Sequence, residues 1–192
     1  MALEVAGKKP VGKKTTIKIV NKAEIELPKK TIEHIQAVIH SLPVEHTRGL
    51  DSLKIVDFID DPRLKDIKAD LQGDLPGLYH PKVQNKPAWM EASAGALLKP
   101  FGKWTERWMA KTSFKSNLAG LIFSLVGQHY FMTMKHSVKK QNLEPQIRQY
   151  AEKRLRDWSD SQATKTWRGR LFAPLRPIFE RWAKWLNRKA KA

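Results

Sequence analysis

The sequence predicts an α+β fold, with short N-terminal strands forming a small sheet that packs on a mainly helical C-terminal half. Strand-like alternation is confined to the part before residue 95, and apolar residues at helical spacing dominate after it. A composition of 41% hydrophobic and 29% charged residues belongs to a chain that packs a core, and excludes collagen, a disulfide miniprotein or a wholly disordered protein. A length of 192 residues fits one domain of ordinary size with extensions.

Residues 1–14 are rich in Lys, Gly and Pro without an apolar run, which predicts a flexible basic arm and no secretory signal. Residues 15–20 alternate, as do residues 23–27, and Asn21-Lys22 between them predicts a hairpin. From Thr31, the spacing of Ile32, Ile35, Ala37, Val38, Ile39 and Leu42 predicts a helix that Pro43 closes. Residues 53–59 are rich in β-branched side chains and read as a strand. Asp61-Pro62 then opens a helix through Leu71 that Gly73 ends. Gly77 and Pro81 bracket a predicted turn, and residues 88–92 a further strand before Gly95. Helices are expected over 96–110, 117–137, 144–158, 160–169 and 175–190. The domain reading is a basic arm at 1–14, an α+β domain at 15–160 and a basic amphipathic helical extension at 161–192.

The charge is concentrated at the ends. Residues 1–30 hold eight Lys against three Glu, and residues 164–192 hold nine Lys and Arg against Glu180, within a net charge of +17. Such a potential gathers anionic partners, nucleic acid or acidic lipid among them, without selecting one. The absence of cysteine removes disulfides, thiolate metal sites and cysteine nucleophiles, and fits a cytoplasmic location.

Asn117 can cap a helix that is apolar on nearly every side through Met134. The 19 uncharged residues between Lys115 and Lys135 approach the roughly 20 that span a bilayer. Ser124, Gln128, His129 and Thr133 interrupt the apolar run, and no second such segment exists, so burial in a protein core is the expectation.

The segment Leu121-Ile-Phe-Ser-Leu-Val-Gly-Gln-His-Tyr130, followed by His136 and by Glu144-Pro-Gln-Ile-Arg-Gln-Tyr-Ala-Glu-Lys153, resembles the helix pair of small zincin-type metallopeptidases. In that family one helix reads H-E-x-G-H-H after two apolar residues, and the next reads E-x-x-A-E-x-Y-A. Gly127 and His129 match the first, and Glu144, Tyr150 and Ala151 the second; the turn at 77–81 also matches a glycine-led segment upstream. The resemblance covers about residues 31–158 and implies a zincin-like fold. The chemical positions differ. H-E-x-x-H sets two imidazoles one turn apart on a metal, with a carboxylate to deprotonate bound water. In the aligned frame Ser124 and Gln128 stand at the ligand positions, Leu125 at the general base and Arg148 at the downstream acidic ligand. Serine and glutamine are poor zinc ligands, leucine accepts no proton and an arginine repels the cation. The resemblance therefore implies a degenerate scaffold, a pseudo-metallopeptidase without metal or cofactor, in which positions 124, 128 and 148 face one pocket.

Other candidate chemistry is sparse. His129 and His136 share a helical face but lie about 10 Å apart along the axis, too far for one ion, so His129 is expected as a hydrogen-bonded core residue and His136 as a cation at a helix end. His34 and His40 fall on a polar helix side, His46 and His80 in loops, none with a recognisable partner. Asp57, Asp60 and Asp61 form an acidic knot able to hold a cation or act as base, and more simply a cap with solvated neighbours. Phe101, Trp104 and Trp108 form a stripe read as core.

Residues 175–189 place Leu175, Ile178, Phe179, Trp182, Trp185 and Leu186 at helical spacing, with Arg176, Arg181, Lys184, Arg188 and Lys189 at the remaining positions, a pattern that fits docking on the domain's own core, a membrane interface or a partner. Together with Arg148, Lys153, Arg154 and Arg156 they are the predicted anion-binding residues, with sequence-nonspecific nucleic acid the expected partner and an anionic protein another. The competing readings are a hydrolase acting through the aspartate knot or the His129/His136 face, and a peripheral membrane protein held by the C-terminal helix.

Overall fold

The computed structural model describes residues 17–60, 75–99, 102–134 and 143–165. The chain divides into two compact units, Met1–Glu152 and Lys153–Ala192. The predicted basic arm, the helix from Asp61 to Leu71, His136 and the C-terminal amphipathic helix all lie outside the described residues.

In order, the first unit contains β1 (Lys18–Asn21), α1 (Thr31–His40), α2 (Val44–Thr47), β2 (Leu50–Val56), β3 (Gly77–His80), β4 (Ala88–Ser93), α3 (Ala94–Leu98), α4 (Trp104–Met134) and the start of α5 (Leu143–Lys165). The class is α+β. The four strands form one mixed sheet in the order β1-β2-β4-β3, in which β1, β2 and β4 run parallel and β3 is an antiparallel edge.

The predicted hairpin is not formed. β1 pairs parallel with β2, Ile19 opposite Leu53, and Lys22 donates its N–H to the Ile55 carbonyl at 2.8 Å. Residues 23–27 make no strand, because the amides of Glu24 and Ile25 donate to the Asp57 carboxylate at 3.1 and 2.9 Å. β2 begins three residues before the predicted strand, and the predicted turn at 77–81 is β3, with Tyr79 opposite Met90. Gly77 allows a close approach there: a Cβ would meet the Leu121 Cδ1 at 2.6 Å and the Glu91 carbonyl at 3.0 Å, so the Leu121 side chain would have to shift.

The first long helix divides elsewhere than expected. α3 stops at Lys99, whose φ of 46° is left-handed, and α4 then runs unbroken for 31 residues. From Leu118 onward α4 is buried on most sides, and α1, α2, α3, β3 and β4 each pack against this helix. Phe114, Leu118, Ile122, Phe123 and Val126 of α4 are fully buried, as are Ile35 and Val38 of α1 and Leu53 and Met90 of the sheet. No helix among the described residues is long and apolar enough to cross a membrane. α5 is likewise continuous where two helices were expected.

Candidate functional site

The polar residues on the buried half of α4 are the candidate site. His129 is 2% exposed, and both its ring nitrogens are engaged. The Arg48 carbonyl can only accept, so Nε2–H donates to it at 2.9 Å; Nδ1 of the neutral ring then accepts from the Tyr79 hydroxyl, also at 2.9 Å. Burial pushes the imidazole below its ordinary pKa, opposed by the bond to Arg48, and burial likewise raises the Tyr79 phenol. Gly49, at φ +90°, makes the turn from α2 into β2 that brings the Arg48 carbonyl to the ring. His129 is thus the hydrogen-bonded core histidine expected of it.

Gly127 brings α5 against α4. A Cβ at this position would meet the Tyr150 Cδ1 at 2.7 Å, so only glycine leaves the ring its place. The Tyr150 hydroxyl is hydrogen-bonded to His46 Nδ1 at 2.6 Å, and the rings of His46 and Tyr130 lie 4.2 Å apart. Tyr130 stacks on Tyr150 and Phe131 meets it edge-on, with centroids 6.3 and 6.1 Å apart. The matches Gly127 and Tyr150 therefore touch, and an aromatic cluster joins α2, α4 and α5.

The altered positions are distributed unevenly. Leu125 is 4% exposed, while Ser124 and Gln128 are half-buried. Arg148 does not join them: its side chain is 82% exposed and pairs with Glu152 one turn on, at 3.5 Å. Tyr150 faces α4, and a position two residues away points about 200° around the helix. The half-buried residues one turn before Tyr150 are Gln146 and Ile147. The expected common face of 124, 128 and 148 is corrected accordingly. Among the described residues no group of three or more His, Asp or Glu side chains is arranged to hold a metal ion.

Three other histidines, His34, His46 and His80, have partners that spacing did not reveal. His34 Nε2–H donates to the Lys115 carbonyl at 2.8 Å, and burial lowers its pKa against that bond. His46 sits in α2 on Tyr150, and His80 in β3 donates to Glu91 at 3.0 Å and stacks on Trp89 at 3.7 Å. Lys54 lies over the other partner of that stack, 3.5 Å from the Trp89 ring centroid. The acidic knot is structural at Asp57: its carboxylate holds the 24–25 loop, and its carbonyl accepts from Gly95 N–H and Ser93 Oγ at 2.8 Å each. Asp60 is exposed and Asp61 lies outside the described residues.

Of the predicted anion-binding residues, Lys153 and Arg156 are exposed and Arg154 is half-buried; Arg176, Arg181, Lys184, Arg188 and Lys189 lie outside the described residues. The stripe read as core is not core. Trp104 is 76% and Trp108 60% exposed, and Phe101 lies outside the described residues. On another side of α4, Met109, Ser113 and Asn117 face Ala96 and Leu97 of α3 across a groove of about 240 Å³. Comparison with family models, curated proteins and solved structures found no match to this chain.

Proposed function

We propose that this chain is a non-catalytic binding protein on a degenerate zincin-like scaffold, holding an anionic partner, nucleic acid, through its basic surfaces. The observation that carries this reading is the state of the buried half of α4. Leu125 fills the place of a general base with hydrocarbon, and both nitrogens of His129 are spent on Tyr79 and Arg48. Neither side chain offers a lone pair to a substrate or an ion. The scaffold half of the proposal draws support from the antiparallel edge strand β3 lying against α4 at Gly77 and Leu121, and from the contact of Gly127 with Tyr150; the solvent-facing Arg148, which does not join positions 124 and 128, counts against it. The partner half rests on +17.

Two measurements on the full chain test the halves separately. Binding to mixed-sequence nucleic acid should weaken linearly in log–log form as salt rises, and a slope near zero removes phosphate contacts from the account. Zinc at unit stoichiometry after purification without added metal, together with a peptidase activity that chelation abolishes, would reverse the non-catalytic reading.

A further inference from the structure

The first half of α4 carries a feature that its role as a core helix leaves unused. From Trp104 to Met109 every residue is exposed, and until Leu118 only Ala110 and Phe114 are buried. At 100° per residue, Trp104, Trp108, Lys111 and Lys115 fall within about 60° of one another, with Arg107 beside them. All five are exposed. Two indoles and three cations thus share one side of a helix. Burying the indoles elsewhere would stabilise each by a couple of kcal/mol, which makes their exposure the thing to explain.

We infer that this stripe is a contact surface for single-stranded nucleic acid, in which Trp104 and Trp108 stack on unpaired bases while Arg107, Lys111 and Lys115 meet the phosphates. The inference rests on the nucleic-acid reading proposed above and gives it a location. Two arguments select this occupant. The tryptophans stand four residues apart, about 6 Å along the axis. This is near twice the roughly 3.4 Å base step, so one base fits between the two rings. The cations interleave with the indoles instead of flanking a broad apolar face, which is the pattern of a stacking platform in a phosphate-tracking groove and not of a helix lying in lipid.

The test compares the full chain with its W104A/W108A and K111Q/K115Q variants, titrated against a fluorescent mixed-sequence single-stranded 20-mer, its duplex, and phosphatidylcholine vesicles containing phosphatidylserine. Both indoles are exposed, so circular dichroism should show the fold unchanged. Single-strand affinity should fall about tenfold or more in W104A/W108A with an unaltered salt slope. The W104F/W108F variant should recover most of it. Duplex affinity should be the same in W104A/W108A as in the parent, because paired bases offer no free face. K111Q/K115Q should lower the single-strand salt slope by about one unit or more. Undiminished single-strand binding by W104A/W108A, with the parent binding well, overturns the inference and leaves the proposed function standing. Loss of vesicle binding alone in W104A/W108A assigns the stripe to lipid and overturns it too. A parent chain that binds no nucleic acid overturns both.

Discussion

Alanine at Gly127 reports directly on how closely α5 rests on α4. In isolation the substitution should help, since alanine is better than glycine in a helix interior by about 1 kcal/mol. The neighbours reverse that sign. The new methyl would sit 2.7 Å from Tyr150 Cδ1, 3.3 Å from Cε1 and 3.5 Å from Cγ, so the ring must move. It is held at its far end by the 2.6 Å bond to His46 and at its sides by Tyr130 and Phe131. Losing the hydrogen bond costs about 1 kcal/mol, and forcing a methyl into a filled core about 1–3 kcal/mol. The net expectation for G127A is a loss of about 1–3 kcal/mol, a fall of roughly 2–12 °C in Tm. In a Y150A background, which removes Cγ and everything beyond it, the obstacle is gone, and the same substitution should be neutral or stabilising by up to about 1 kcal/mol. Urea denaturation of the four proteins of this cycle supplies the coupling energy. A G127A chain more stable than its parent would refute the close approach, and equal destabilisation in both backgrounds would place the clash on some residue other than Tyr150.

Three further outcomes follow from the same contacts. Tyr79→Phe strips the buried His129 Nδ1 of its donor and should cost about 1–3 kcal/mol by urea denaturation, whereas an exposed hydroxyl would be lost at almost no cost. The pKa values of His129 and His34 are both lowered from 6.5, so the unfolded chain takes up protons first. Stability should accordingly be full above that value and decline as pH falls below it, with H34Q retaining the share due to His129; stability that rises on acidification through this window would contradict the burial of both rings. Asp57→Ala releases two amide donors from a charged acceptor and should destabilise by about 2–3 kcal/mol in thermal unfolding, an effect absent if the aspartate were only a solvated neighbour of a cap.

What could be read from the sequence was local. α1 was legible because its apolar spacing and Pro43 act within a dozen residues, and β4 because a short apolar run stops before Gly95; the cap that starts α3 two residues earlier than expected, Ser93 Oγ accepting from Ala96 N–H at 3.1 Å, went unread. The strand character of residues 18–20 was legible too, but alternation says nothing of the partner, and the partner turned out to lie across α1 in β2. Gly77 and Pro81 imitate a turn because glycine allows close approach to Leu121, a cause that spacing cannot display. The histidine partners are hidden for the same reason: 50 residues separate His129 from Tyr79, and 104 separate His46 from Tyr150. Trp104 and Trp108 were misplaced since helical aromatic spacing is usually a sign of burial, and only the structure reveals that α4 extends past the elements covering its second half.

Under the proposed reading the interior of this scaffold is filled, and a filled interior has a measurable intolerance. Leu125, at 4% exposure, stands where a metallopeptidase would keep its carboxylate, next to the fully buried Val126 and one turn from His129. A working site would have to solvate that carboxylate with bound water and a cation. Packing by hydrocarbon offers neither, so Leu125→Glu should cost about 3 kcal/mol or more near neutral pH, where the acid must either ionise in the core or be held protonated. Ser124→His and Gln128→His, at half-buried positions with access to solvent, should cost well under half as much. If instead Leu125→Glu were tolerated as readily as those two, the α4 face would still open on a wet, polar cavity. The zincin-like scaffold would then have lost its ligands without losing its site, and metal titration of the S124H/L125E/Q128H chain would be the measurement to make.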